Sequence, residues 1–283
     1  MNDTTRDLLI EIGTEELPPA ALATLAANFH ERLQASLRDQ YDLYTSDTHS
    51  HYYYSPRRLA AIFSGLRIQQ PERQSEKYGP AIKIAYDDEG RPTKAAEGFA
   101  RSCNTTVDNL VEKDGKLFFS ATEPGKPAAG LIPAAIHEAL ANLPIPKRMR
   151  WGESRAEFVR PVHWAVVLFG DEVIDCEILG VHSDRYSYGH RHHHPEAIRL
   201  ETVADYEPAM LKARVWLNDV EQQLNQRISE EVAILAEQVD GYALNSEPDS
   251  DLVAEVAALV EWPVPLRGSF DARFLELPEE VLI

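Results

Sequence analysis

The chain has 283 residues, 44% of them hydrophobic, and its 46 acidic against 28 basic side chains give a formal net charge of −18. That length suits about two domains with ordinary cores, and no apolar run approaches the ~20 residues needed to cross a bilayer. So negative a balance argues against a simple nucleic-acid binder, because phosphate is repelled by acidic surfaces.

In chain order, residues 7–12 read as a short apolar strand ended by Gly13, with Thr14 as the N-cap of a helix and Glu15 and Glu16 at its positive end. Pro18 and Pro19 suit the first turn, and Leu22, Leu25, Ala26, Phe29 and Leu33 recur at helical spacing to about Tyr41. Tyr52–Tyr54, the Pro56-Arg57-Arg58 turn and the apolar run Leu59–Leu66 predict a hairpin. Residues 70–127 read as irregular, with turns at Gly79-Pro80, Asp87–Gly90 and Pro124-Gly125. Short helices at Thr93–Cys103 and Val107–Val111 and a strand at Lys116–Ala121 lie between them.

A helix over Pro133–Leu143 is stopped by Pro144 and Pro146. Val162–Leu168 and Glu172–Val181 read as paired strands joined by Gly170-Asp171. After Pro195 come helices at Pro208–Ala213, at Asn218–Val239 (Val220, Leu224, Ile228, Val232, Leu235) and at Asp249–Glu261 (Leu252, Val256, Leu259), the last ended by Trp262-Pro263. The expected class is α+β: a mixed α/β region over 1–195, then a mostly helical acidic segment over 196–283. Acidity concentrates in the last part, where residues 201–283 hold 18 acidic and 5 basic side chains, whereas residues 146–200 hold 8 of each.

The balanced stretch contains the strongest functional candidate, LPIPKRMRWGESRAEFVRPVHW, from Leu143 to Trp164. Arginine and lysine pair with phosphates and flat side chains stack on bases, so interleaved cations and aromatics suit an RNA surface. Lys147, Arg148, Arg150 and Arg160 are the expected phosphate contacts, with Arg57, Arg58 and Arg191 as lesser ones. The plainer alternative places Trp151, Phe158 and Val159 in the core with the cations as a solvated face.

Other constellations favour structure over chemistry. His192–His194 follow one another, and three consecutive side chains on a strand cannot converge on one ion. No cysteine is close enough to complete a metal set, so no metal site is expected. Glu11, Glu15 and Glu16 are read as helix-start charges worth ~0.3–1 kcal/mol each rather than as catalysts. Cys103 and Cys176 are distant from each other and are expected as reduced thiols. The polar opening MNDTTRDLLIEIG is no signal peptide, which points to the cytoplasm. There is no GxxxxGK[ST] and no GxGxxG, so no autonomous ATP site and no catalytic residue are expected.

Seven words of the sequence carry a resemblance: IEIGTEELPP (10–19), SPRRLA (55–60), KAAEGFA (94–100), LPIPKRMRWG (143–152), FVRPVH (158–163), Gly189-His190-Arg191 and LVEWP (259–263). In this order they resemble the β subunit of the bacterial two-subunit glycyl-tRNA synthetases, and only the N-terminal portion of such subunits. The resemblance implies tRNA(Gly) and the synthetase α subunit as partners in an α2β2 assembly. It also implies that ATP with magnesium is used at the α subunit, and that this part binds no cofactor and no membrane. A more distant likeness to the tRNA-editing-type domain of the phenylalanyl enzyme's β subunit brings no hydrolytic set with it. Two rivals differ in class: an assembly module that never touches RNA, and a metal-dependent hydrolase built on His182, His190 and His192–His194.

Overall fold

A computed structural model describes residues 4–87, 89–153, 155–219, 224–243, 246–248, 250–276 and 278. Strand β1 (Thr5–Thr14) runs past Gly13 rather than ending there. The glycine is needed because the Trp164 indole crosses the strand at this point, and a Cβ would stand 1.8 Å from the ring. Helix α1 (Pro19–Ala35) begins at Pro19 with no side-chain cap and no acidic residue in its first turn, so Thr14 is not an N-cap and the glutamates are not helix-start charges. It continues into a wider π-type turn at Ser36–Gln40. Strands β2 (His49–Ser55) and β3 (Arg58–Arg67) form the expected hairpin, with Pro56-Arg57 as the two-residue turn beyond the Ser55–Arg58 pair.

The stretch expected to be irregular is a small unit of its own. Strand β4 (Arg73–Ala81), the single turn α2 (Ile82–Ala85), helix α3 (Lys94–Ser102) and strands β5 (Val111–Lys113) and β6 (Lys116–Glu123) surround a core of Ala85, Ala96, Ala100, Leu110 and Leu117. The sheet order is β4-β6-β5. The first five residues of β4, Arg73–Lys77, are all polar and four of them are exposed, so its sequence lacks the apolar alternation by which strands are recognised.

Helix α4 (Ile132–Ala141) precedes the short hairpin of β7 (Met149–Arg150) and β8 (Glu157–Phe158). Then come β9 (Val162–Phe169), β10 (Glu172–Val173), β11 (Glu177–Ile178) and β12 (Val181–Asp184). The one strand expected over Glu172–Val181 is therefore divided. The chain reverses after Ile178 at Leu179-Gly180, where both φ values are positive (51° and 89°) as in a tight hairpin turn, and β12 returns parallel to β9. Strands β13 (Tyr186–Tyr188) and β14 (Ala197–Arg199) pair with each other before α5 (Tyr206–Lys212), α6 (Leu224–Glu237) and α7 (Asp251–Ala257). Val220, Asp249, Leu277, Glu279, Glu280 and the end of the chain at Leu282-Ile283 lie outside the described residues.

The main sheet has the order β11-β12-β9-β1-β3-β2, with β10 added to β9. Its centre, β1, is apolar on both faces because both are covered. Leu8, Ile10 and Ile12 pack with Leu22, Leu25 and Phe29 of α1 and Ile132 and Ile136 of α4. Leu9 packs on the other side with Val166, Leu168 and, from the segment after residue 195, Leu200, Tyr206, Met210 and Val215. Each such fully buried side chain contributes ~1.5–3 kcal/mol. Alternation puts Glu11 and Gly13 on this second face, beside Arg58 and Trp164 of the flanking strands. Among the described residues no helix is long and apolar enough to cross a membrane.

Candidate nucleic-acid interface

Strand alternation places a carboxylate and a guanidinium under α5, and they meet. Arg58 and Glu11 are both fully buried, and Arg58 Nη1 donates to Glu11 Oε1 at 2.9 Å. Ser187 on β13 donates to the same oxygen at 3.0 Å. Arg58 also donates through Nη2 to the Tyr188 carbonyl at 2.7 Å and through Nε to Ser55 Oγ at 3.1 Å. Glu261, after α7, closes the group: its Oε1 accepts from Ser55 at 3.2 Å and lies 3.4 Å from Arg58 Nη2. Burial pushes the Glu11 carboxyl up from its ordinary 4.5, and Arg58, Ser187 and Trp164 offset only part of that rise. Burial alone would pull Arg58 down, but Glu11, Tyr206 and Glu261 raise it further. Arg58 is thus an internal ion-pair partner, with no surface to offer a phosphate.

Above this network the chain leaves the sheet. The β1–β9 register shifts between Gly13 and Thr14, and the next residues are stitched to both neighbours. Thr14 N–H donates to the Arg57 carbonyl (2.8 Å), Leu17 N–H to the Pro56 carbonyl (2.7 Å) and Glu15 N–H to the Pro161 carbonyl (3.0 Å). Glu15 and Glu16 consequently face Arg191, whose Nη2 lies 2.8 Å from Glu15 Oε2 and 3.0 Å from Glu16 Oε1. Glu15 also meets His163 Nε2 at 2.9 Å. The slight burial of Glu15 would raise its pKa, yet the donors on Arg191 and His163 hold it below the ordinary value. Arg160 Nε donates to the Glu16 carbonyl at 3.0 Å.

Arg57 lies at the turn between β2 and β3 with its guanidinium carbon 5.5 Å from the centroid of Trp164. Burial pulls its pKa below the ordinary value, and Glu261 and Glu16 restore only part of it. The neighbouring histidines are drawn into backbone contacts. His190 N–H donates to the Ala213 carbonyl, and its Nδ1 accepts from the His192 and His193 amides. Gly189 before it packs so closely that a Cβ would stand 2.6 Å from that of Ala213. Burial also lowers the His190 pKa. Among the described residues no group of three or more His, Cys, Asp or Glu side chains could hold a metal ion. Cys103 and Cys176 are free.

The β7–β8 hairpin adjoins this corner. Its Met149 sulfur is 3.6 Å from Arg160 Nη1. Lys147 and Arg150 are exposed, with Arg150 Nε 3.2 Å from Glu157 Oε1. Arg148 instead caps α4, donating to the Ala141 carbonyl at 3.0 Å. Phe158 and Val159 are core residues, and Trp151 is half-buried. The apolar side chains of the segment therefore anchor it in the core, as the plainer alternative expects, and Lys147 and Arg150 lie on the outside.

Five of the seven sequence words, spread from residue 10 to residue 263, thus converge on one corner, and LPIPKRMRWG touches it through Met149. KAAEGFA belongs elsewhere, as α3 of the small sheet unit. Sequence reading assigns Glu11 to a helix start and gives Ser55, Ser187 and Glu261 no role of their own; for Glu11 the available signal is a carboxylate inside the apolar run LLIEIG.

The class of protein to which this α+β scaffold belongs, the subunits of aminoacyl-tRNA synthetases, comes from comparison with known proteins. A family model described as glycyl-tRNA synthetase beta subunit matches residues 8–283. The chain is 47% identical over 282 residues to the glycine–tRNA ligase beta subunit of Hahella chejuensis, covering 98% of this chain and 40% of that protein. It is 46% identical to those of Pseudomonas entomophila (99% and 40%) and Chromohalobacter salexigens (98% and 39%). The chain belongs to the glycyl-tRNA synthetase β-subunit family, and it spans about 40% of the length of these curated relatives.

Proposed function

We propose that this chain is a non-catalytic part of a glycine–tRNA ligase β subunit that supports tRNA(Gly) binding and assembly with the α subunit for ATP-dependent glycylation. The observation that carries the reading is the corner where the family's sequence words meet, rimmed by Lys147, Arg150, Arg160 and Arg191. ATP and magnesium are assigned to the α subunit, in keeping with a sequence that has no phosphate-cradling glycine loop. The acidic excess beyond residue 200 favours the assembly half of the role, because that part repels RNA and suits a protein partner of opposite charge.

The test is tRNA(Gly) binding by the wild type and by Lys147→Glu/Arg150→Glu across a salt series. Each lost phosphate contact should flatten the slope of log affinity against log salt by ~0.7–0.9. An unchanged affinity and slope would remove the hairpin from the RNA surface. Retained α-subunit binding by the same variant would leave the chain as an assembly module.

A further inference from the structure

Among the described residues, the seven arginines other than Arg57 that are withdrawn wholly or partly from solvent each meet a carboxylate or a carbonyl, as Arg6 meets Glu172, Arg67 the Tyr44 carbonyl and Arg227 Glu231. Arg57 is different. It is half-buried, its Nε is wholly covered without a hydrogen-bond partner, and among the described residues Glu261 and Glu16 act on it only through space, without a hydrogen bond or close ion pair. The nearest acidic groups are already committed, Glu261 to Ser55 and Arg58 and Glu16 to Arg191. A half-desolvated cation kept unpaired costs stability. The surrounding structure nevertheless fixes it in place: Pro56 presets the turn, both turn carbonyls are held by Thr14 and Leu17, and the Trp164 ring supports the guanidinium.

That support leaves the group's chemistry intact. Contact with a ring uses the face of a guanidinium, whereas hydrogen bonds to an anion use its N–H groups, so an arginine over an indole keeps its terminal Nη pair for an anion. Tyr188 adjoins the same indole, with its ring 5.1 Å from that of Trp164 and 37% exposed, and offers a flat surface at this corner.

We propose that Arg57 anchors a subsite for a single nucleotide, its terminal Nη groups taking the phosphate and Tyr188 taking the base or sugar. The proposal deepens the RNA reading above and rests on it for the source of the nucleotide, which is either a residue of tRNA or a free mononucleotide. Arg58 is internal, Arg148 caps a helix, Arg191 is doubly paired and Lys147 is exposed, so among these cations Arg57 is the one held half-buried without a close partner.

The experiment uses this chain with tRNA(Gly) transcript as the ligand and AMP as competitor. The variants are Arg57→Met, Arg57→Lys and Lys147→Glu/Arg150→Glu, each with its melting temperature recorded. Arg57→Met should weaken tRNA binding about tenfold or more. Its Tm should stay within about 2 °C of the wild type or rise, since an unpaired cation has been removed. Arg57→Lys should recover only part of the affinity, lacking the Nη pair. Competition by AMP that Arg57→Met abolishes assigns the subsite to free nucleotide; Arg57-dependent tRNA binding without it assigns an RNA residue. Wild-type affinity in Arg57→Met, or a Tm lower by several degrees, overturns the proposal. Loss of binding in Lys147→Glu/Arg150→Glu alone would sink the subsite and keep the wider RNA reading. AMP bound through Arg57 with no tRNA binding would do the reverse, and absence of both would remove both.

Discussion

At the scale of single residues, the decisive fact is which face of a strand a charge falls on. Arg57 and Arg58 are adjacent in an apparently uniform basic turn, yet Arg58 begins β3 on the face of Ala60 and Ile62 and disappears under α5, while Arg57 stays at the rim. Removing the buried partner alone is costly: Arg58→Met strands Glu11 and Glu261 and should lower stability by ~3–5 kcal/mol in urea titration. Adding Glu11→Leu should recover much of that loss, and a double variant as unstable as the single would sink the pairing. Glu11 also sets a pH dependence. Its folded pKa is raised above 4.5, so the folded protein holds this proton to higher pH than the unfolded chain does. The contribution of Glu11 to stability therefore falls as pH rises from 4.5 through the raised value. Relative to Glu11→Gln, the wild type should lose stability over that range, and a gain would refute the sign.

At the scale of elements, the sequence was legible where one pattern dominated. The α1 stripe, the β2–β3 hairpin and α4 follow from apolar spacing and from proline. The β1 boundary was misread because glycine usually punctuates strands, whereas here it admits an indole from β9, a contact with a residue some 150 positions away. Gly13→Ala should cost at least ~1–3 kcal/mol through overpacking and should shift Trp164 fluorescence. The small sheet was hidden because a polar edge strand such as β4 is defined by its partner rather than by its own side chains. Helix α1 carries a second pH signal. His30 is packed between Tyr52 and Phe63, and burial, together with His51, lowers its pKa from 6.5 to about 4. Between those values the unfolded chain binds the extra proton, so stability rises as pH rises from 4 to 6.5. His30→Gln should flatten that part of the profile, and an imidazole titrating near 6.5 by NMR would contradict it.

At the scale of the whole molecule, the acidic helices are tied to the sheet by the LVEWP word, whose function no local pattern announces. Glu261 reaches Ser55 and Arg58, its carbonyl accepts from the Trp216 amide, and Trp262 lies under Arg214 and Arg227 at 4.9 and 4.7 Å. Trp262→Ala should therefore raise amide exchange in α6 and α7 while β1 and β3 stay protected. Equal loosening of the sheet would show that helices and sheet open as one unit. The convergence of the candidate site was equally invisible in advance, because its parts come from both ends of the chain and only the sheet register brings them together.

The same register bears on how the protein is made. Leu8 pairs with Phe63 on one side and with Phe169 on the other, so the central strand is synthesised first and receives its second neighbour last. At ~5–20 residues per second, the interval between β1 and β9 leaving the ribosome is on the order of ten to thirty seconds. Throughout it the strand LLIEIG has one open edge and an incompletely covered apolar face, so the nascent chain, rather than the finished protein, is the state most in need of a chaperone.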